Sequence, residues 1–196
     1  MNISELLQNV KRGDVLLTSN PDGLGNVITW FQNLQGDPSI YTHAALFPYD
    51  ALPKIYEANG TLDIKNITQY IGYKICIIRH KFMTDEAYRK GFREIKDNVG
   101  QIYPWHRLLL IGLDNGFNWL FKKLRFKFRS KIARIISRDR PVCSEWVVQF
   151  FNSAYIKMGF VNGECWQGKS PDDIDDARIA HPELWETVYE GHLDGK

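Results

Sequence analysis

Cysteine, histidine and a carboxylate are the residue types in this chain that could assemble a nucleophile, and their placement selects among them. Cys143 opens the stretch Cys143-Ser144-Glu145-Trp146, and Val147, Phe150, Phe151, Ala154, Tyr155 and Met158 follow at helical spacing. Pro141 suits the entry to a helix, Glu145 puts an acid in its first turn, and Gly159 is a natural stop. The spacing predicts a largely buried helix with Cys143 at its N-terminal end, in line with the core-facing stripe. Unpaired N–H groups at a helix start favour an anion, and a thiolate is an anion. Taken alone, Cys143 fits a small packing residue equally well.

A cysteine nucleophile needs a base to take its proton and a group to orient that base. Of the five histidines, His181 and His192 lie in a polar C-terminal stretch. His80 stands between Arg79 and Lys81, where its ionised form is opposed by like charge. His106 follows Tyr103-Pro104-Trp105 with no orienter nearby. His43 lies in Tyr41-Thr42-His43-Ala44-Ala45-Leu46-Phe47, otherwise a core-like strand. The short connection Pro48-Tyr49-Asp50-Ala51-Leu52-Pro53 predicts a hairpin with the strand that starts at Lys54. His43 and Glu57 are nearly equidistant from the centre of that loop, so one simple register sets them opposite each other. A slip by one residue puts them on opposite faces. A carboxylate beside an imidazole fixes its tautomer and stabilises its protonated form. The residues alone leave two plainer alternatives: a hydrogen-bonded core histidine and a solvent-facing glutamate.

The elements that must position these groups read as α+β, with several short strands, a mainly antiparallel sheet and helices around it. Strands are predicted over 14–18, 41–47, 54–58, 73–79 and 185–189. Helices are predicted from Ser4 to Val10, along the face of Val27, Ile28, Phe31 and Leu34, from Thr84 to Val99, after Pro104, and after Ser170-Pro171-Asp172-Asp173. The 196 residues suit one well-filled domain, 1–196, and 44% hydrophobic with 24% charged residues is ordinary globular usage. Three cysteines, Cys76, Cys143 and Cys165, are too few and odd in number for a disulfide framework. No signal peptide and no apolar run long enough to span a bilayer are seen, so a cytoplasmic setting is expected, with peripheral membrane contact as the variant. A net charge of +2 does not by itself imply nucleic acid, and no nucleic-acid motif is present.

Six short motifs occur in a telling order: Gly13-Asp14-Val15-Leu16-Leu17, Thr42-His43-Ala44-Ala45-Leu46, Tyr56-Glu57-Ala58, Gly100-Gln101-Ile102-Tyr103-Pro104, Val142-Cys143-Ser144-Glu145 and Ser170-Pro171-Asp172-Asp173-Ile174. In this order the chain resembles the circularly permuted papain-like amidases of the NlpC superfamily, the YiiX/YaeF-like group. The resemblance covers most of the sequence. It implies a permuted papain-like fold, an antiparallel sheet or half-barrel with helices packed around it. It makes Cys143 the nucleophile, His43 the general base and Glu57 the orienter, with Tyr103 lining the cleft. Glu145 shares the cysteine motif but faces away from Cys143 on a helix, as a structural residue or a substrate contact. The implied activity is a cysteine hydrolase (amidase or peptidase) cleaving a peptide or N-acyl amide through a thioester acyl-enzyme, without metal or other cofactor. The expected partner is a peptide or an acylated small molecule.

Two other readings use the same fold. One is a lipid acyltransferase or phospholipase-like thiol enzyme acting at a membrane, although the glutamate at position 57 favours the amidase group. The other is a non-catalytic binding module, against which the complete Cys143, His43 and Glu57 set counts. Cys76 and His80, four apart on a strand, lack a second pair of metal ligands at matching spacing. The departure from the simplest family pattern is a basic amphipathic insertion at about 114–140. Phe117, Leu120, Phe121, Leu124, Phe128, Ile132 and Ile135 recur at three- and four-residue spacing among Lys122, Lys123, Arg125, Lys127, Arg129 and others, up to Arg140. Such a helix packs its apolar face on the core, or docks on an anionic membrane surface.

Overall fold

The computed structural model describes residues 2–19, 40–59, 61–101, 143–160 and 169–195, and elements are numbered among these. The helix expected around Val27, the region after Pro104, Pro141, Tyr103, Cys165 and the basic insertion all lie outside the described residues.

Six strands form one sheet: β1 (Val15–Thr18), β2 (His43–Leu46), β3 (Lys54–Asn59), β4 (Thr61–Asn66), β5 (Lys74–His80) and β6 (Trp185–His192). Their spatial order is β4-β3-β2-β1-β5-β6, and every ladder is antiparallel. The α+β class with an antiparallel sheet is therefore the observed architecture. Five strands fall within or over the stretches predicted for them, as short apolar runs bounded by turn residues. β4 was not expected. Its sign in the sequence is Asn59-Gly60, a strong hairpin dipeptide, followed by alternating Leu62 and Ile64.

Both faces of the sheet are covered, so the central strands are apolar throughout rather than alternating. One face carries Val15, Leu17, Ala44, Leu46, Tyr56, Ala58, Cys76 and Ile78. Helices α2 (Asp85–Lys96), α3 (Cys143–Ser153) and α4 (Pro171–Ala180) supply Tyr88, Ile95, Trp146, Val147, Phe150, Phe151 and Ile174 to it. The other face carries Leu16, Ala45, Phe47, Ile55, Ile75 and Ile77. Leu6 of α1 (Ile3–Asn9) and Ile67 and Tyr70 of a 3-10 turn (Ile67–Tyr70) close it. Burying each large apolar side chain contributes about 1.5–3 kcal/mol, so two filled faces hold the strands from both sides.

Helix ends follow local hydrogen bonding. α1 is capped by Asn2 rather than Ser4: the Asn2 side chain accepts from the Glu5 N–H, and the Glu5 carboxylate accepts from the Asn2 N–H. Thr84 caps α2 as expected, whereas Ser170 caps α4 in a capping box with Asp173, so the helix starts at Pro171 inside the stretch expected as a turn. α3 stops at Ser153, earlier than Gly159. The Ile156 N–H reaches back to the Phe151 carbonyl at 2.9 Å and the Tyr155 N–H to the Asn152 carbonyl at 3.0 Å. With Tyr155 left-handed at φ 59, this is a Schellman closure with tyrosine where glycine is usual. Among the described residues, no helix is long and apolar enough to cross a membrane.

Candidate active site

The three residues singled out by chemistry come from three elements. His43 begins β2, Glu57 lies within β3 and Cys143 is the first residue of α3. The β2–β3 ladder pairs Ala45 with Glu57 and Leu46 with Tyr56, and no further. His43 is therefore not directly opposite Glu57, as the simple hairpin register suggested, but diagonal to it by two residues. A shift of two keeps both side chains on one face, and a diagonal neighbour is within reach of two long side chains. The His43 Nε2 meets Glu57 Oε2 at 3.1 Å.

Cys143 reaches this pair from the opposite side of the sheet. By alternation, His43 and Glu57 share the face of Ala45 and Ile55, whereas α3 packs on the face of Ala44 and Tyr56. The sulfur and the imidazole meet where β2 and β3 stop pairing. There the Ala44 N–H, freed from the ladder with β3, hydrogen-bonds to the Cys143 sulfur, as does the N–H of Ser144 at the helix start. The Cys143 thiol also hydrogen-bonds to the His43 ring. With Nε2 engaged by Glu57, Nδ1 is the nitrogen left for the sulfur. Seryl neighbour Ser144 anchors the helix start by donating to the Lys169 carbonyl at 2.6 Å.

The electrostatics follow from these contacts. Burial opposes the charged form of Cys143, yet the His43 charge and hydrogen bond, with the Ala44 and Ser144 N–H groups, hold the thiol below its ordinary range. Burial also opposes the charged form of His43, but Cys143 and Glu57 raise it to about 10. Burial would raise Glu57 too. His43, then the Tyr70 hydroxyl and the Gln69 amide, outweigh it and hold the carboxyl at about 2. The state favoured near neutrality is thiolate, imidazolium and carboxylate in line.

Glu57 is 1% exposed and its oxygens are fully engaged. Tyr70 donates to Oε2 at 2.5 Å, Gln69 Nε2 donates to Oε1 at 2.9 Å, and Lys65 Nζ lies 3.7 Å from Oε1. Sequence reasoning missed Gln69 and Tyr70. Asn66, whose side chain accepts the Thr68 N–H, marks the turn that carries them, but no spacing in the chain points that turn at Glu57.

The other candidates sit elsewhere. Cys76 is wholly buried, and burial pushes its thiol up to about 12, so it keeps its proton. His80 is buried in the core, with Nε2 on the Lys157 carbonyl at 3.1 Å and Nδ1 accepting the Phe82 N–H at 3.3 Å. His181 bonds Glu183 at 2.8 Å. Glu145 is buried at 0% exposure, which fits its structural alternative. A separate cleft of about 690 Å³ near Arg12, Asp14, Arg79 and Asp85 contains none of the three residues, and its arginines are paired with its aspartates.

Among the described residues, no three of His, Cys, Asp and Glu converge as a metal-binding set. In the Cys143, His43 and Glu57 arrangement the His43 ring stands between the other two side chains, with Glu57 on Nε2 and the Cys143 sulfur on the ring's other side.

No protein-family model matches the chain, and no curated protein matches it. Among solved structures it is similar to the metalloprotein YiiX from Escherichia coli O157:H7, at a TM-score of 0.60 and 15% identity over 94% of this chain and 99% of that one. At that identity the likeness is one of fold: the chain has a YiiX-like α+β fold.

Proposed function

We propose that this protein is a cysteine hydrolase on a circularly permuted papain-like fold of the NlpC type, cleaving an amide bond of a peptide or N-acyl substrate. The observation that carries the reading is the relay itself: a thiol held below its ordinary range by an imidazole whose far nitrogen is bound to a buried carboxylate. The YiiX-like fold is compatible with it. The word metalloprotein is said of YiiX; among the described residues here no three His, Cys, Asp and Glu donors converge, and the hydrolase reading rests on Cys143, His43 and Glu57 alone.

The Cys143 thiolate attacks the carbonyl carbon, and the new C–S bond pushes the carbonyl electron pair onto oxygen. N–H groups at the start of α3 face the developing oxyanion. As the tetrahedral adduct collapses, the C–N bond breaks and the amine leaves with the proton from His43. The resulting thioester is attacked by water, whose proton goes to the now neutral His43. Expulsion of the thiolate releases the acid and restores the starting ion pair. Glu57 keeps the ring in the orientation that serves both transfers.

Intact-mass trapping with a mixed set of amide and ester acyl donors tests this directly. An adduct that maps to Cys143 and is absent in Cys143→Ala is expected, and its mass identifies the acyl group. A protein that turns over substrate with no adduct at Cys143, or retains activity in Cys143→Ala, sinks the reading. An adduct formed only from lipid esters would select the acyltransferase alternative on the same residues.

A further inference from the structure

We propose that Tyr70 and Gln69 are positioning residues, whose O–H and N–H donors fix the Glu57 carboxylate against His43 and thereby sustain the thiolate of Cys143. The inference rests on the hydrolase reading and extends it to a turn that the relay itself does not include. The two donors occupy different oxygens: the Tyr70 hydroxyl on Oε2, shared with His43, and the Gln69 amide on Oε1. A carboxylate with both oxygens held cannot rotate without breaking a hydrogen bond. Its plane, and so the Nε2 bond, is set by the 3-10 turn.

The same donors bear on charge. With Cys143 and Glu57 ionised and His43 protonated, the buried relay carries one net negative charge. Hydrogen bonds donated into it stabilise that state over the state with a proton on sulfur. The charged and titratable groups facing Glu57 are His43 from β2, Lys65 and the exposed Asp63 from β4, and Tyr70 from the turn, with Cys143 beyond the imidazole. Asp63 stands opposite Glu57 in the ladder, and the burial of the carboxylate is offset first by His43 and then by the two turn donors, Tyr70 and Gln69. Tyr70 is itself 3% exposed, and burial followed by the Glu57 charge keeps its proton in place, so it acts only as a donor. Its ring lies 6.1 Å from that of His43, so a phenylalanine preserves the wall of the site while removing the donor.

The test is the rate of iodoacetamide labelling at Cys143, located by peptide mass mapping, from pH 4 to 10. Tyr70→Phe and Gln69→Leu should each move the acid limb upward by about half to one pH unit, leaving the plateau rate near that of the parent. A purely structural role would lower the melting temperature and leave the limb in place, and that result overturns the proposal. If Tyr70→Phe fails to fold, Gln69→Leu carries the same test from the other oxygen. A parent protein whose Cys143 labels only in the ordinary thiol range overturns the positioning proposal and the hydrolase reading together. A parent with a low limb that neither variant moves overturns the positioning proposal alone.

Discussion

His43 stands between two groups that both want its proton nearby, and the value of each neighbour can be measured by removing it. Loss of the imidazole leaves Cys143 with burial unopposed by a cation, so in His43→Ala the thiol should label only at higher pH than in the parent. The fold should survive, since the side chain is at a strand end and partly exposed. Against an acyl donor, Cys143→Ala and His43→Ala should each cost about a thousandfold or more in kcat/KM. Glu57→Gln should cost less than either, because a neutral amide still fills the site beside Nε2. It should also lower the alkaline limb of the pH profile from near 10, since removing the carboxylate removes one of the two charges that raise His43. A Glu57→Gln profile with an unmoved alkaline limb would separate the carboxylate from the imidazole. The steady-state readouts are kcat/KM against pH and the labelling rate of the thiol.

At the scale of elements, the start of α3 must sit at the gap between β2 and β3, and the packing of α3 on α2 helps to set that position. Gly91 of α2 lies against α3: a Cβ there would stand 2.6 Å from the Phe150 carbonyl oxygen and 2.8 Å from its ring. The backbone oxygen cannot move aside cheaply, so Gly91→Ala should destabilise by about 1–3 kcal/mol, despite alanine's better helix propensity. Since α3 carries Cys143, the same variant should slow thiol labelling. Chemical denaturation and labelling rates check both. At the other end of α3, Tyr155 holds a left-handed backbone while 85% exposed. Its only described ring contact is Lys90 Nζ at 5.7 Å from the centroid, which contributes little in water. Tyr155→Gly should therefore stabilise by up to about 1 kcal/mol and leave labelling at Cys143 unchanged. A lowered melting temperature would mean that the tyrosine ring contributes more than its strained backbone costs.

Across the whole molecule, what was legible in the sequence is what depends on nearest neighbours along the chain. The strands of His43 and Glu57, the cap at Thr84 and the cysteine at the head of α3 all follow from local pattern. The register of β2 on β3 did not follow, because it depends on where pairing stops, and pairing stops where α3 brings Cys143 in from the far face. Gln69 and Tyr70 were invisible for the same reason: their partner lies across a hairpin, and their residue types carry no signature of a buried carboxylate. Those long-range placements have a consequence for the stability of the whole protein against pH. On the alkaline side, Cys76 is pushed up to about 12 and Tyr88 to about 12, chiefly by burial, while His43 is raised to about 10. His43 contributes stability that is fully present below about pH 6.5 and lost as pH rises through about 10, and above about pH 9 the unfolded chain also sheds the Cys76 and Tyr88 protons that the folded chain retains, so stability should fall as pH rises. Cys143 works in the opposite direction, because its folded form has already lost the proton that the unfolded thiol loses there. On the acid side, Glu57 at about 2 contributes stability that is present above its unfolded value near 4.5 and lost as pH falls through about 2. Asp14 and Asp175 oppose it: burial raises both, so the folded chain takes up their protons first and gains stability as pH falls. The acid limb of the stability curve should be shallow and the alkaline limb steep. Urea denaturation between pH 3 and 11 measures both limbs, and Cys76→Ala should make the alkaline limb less steep. An alkaline limb no steeper than the acid one would show that the buried thiol and phenols are not held protonated by the fold.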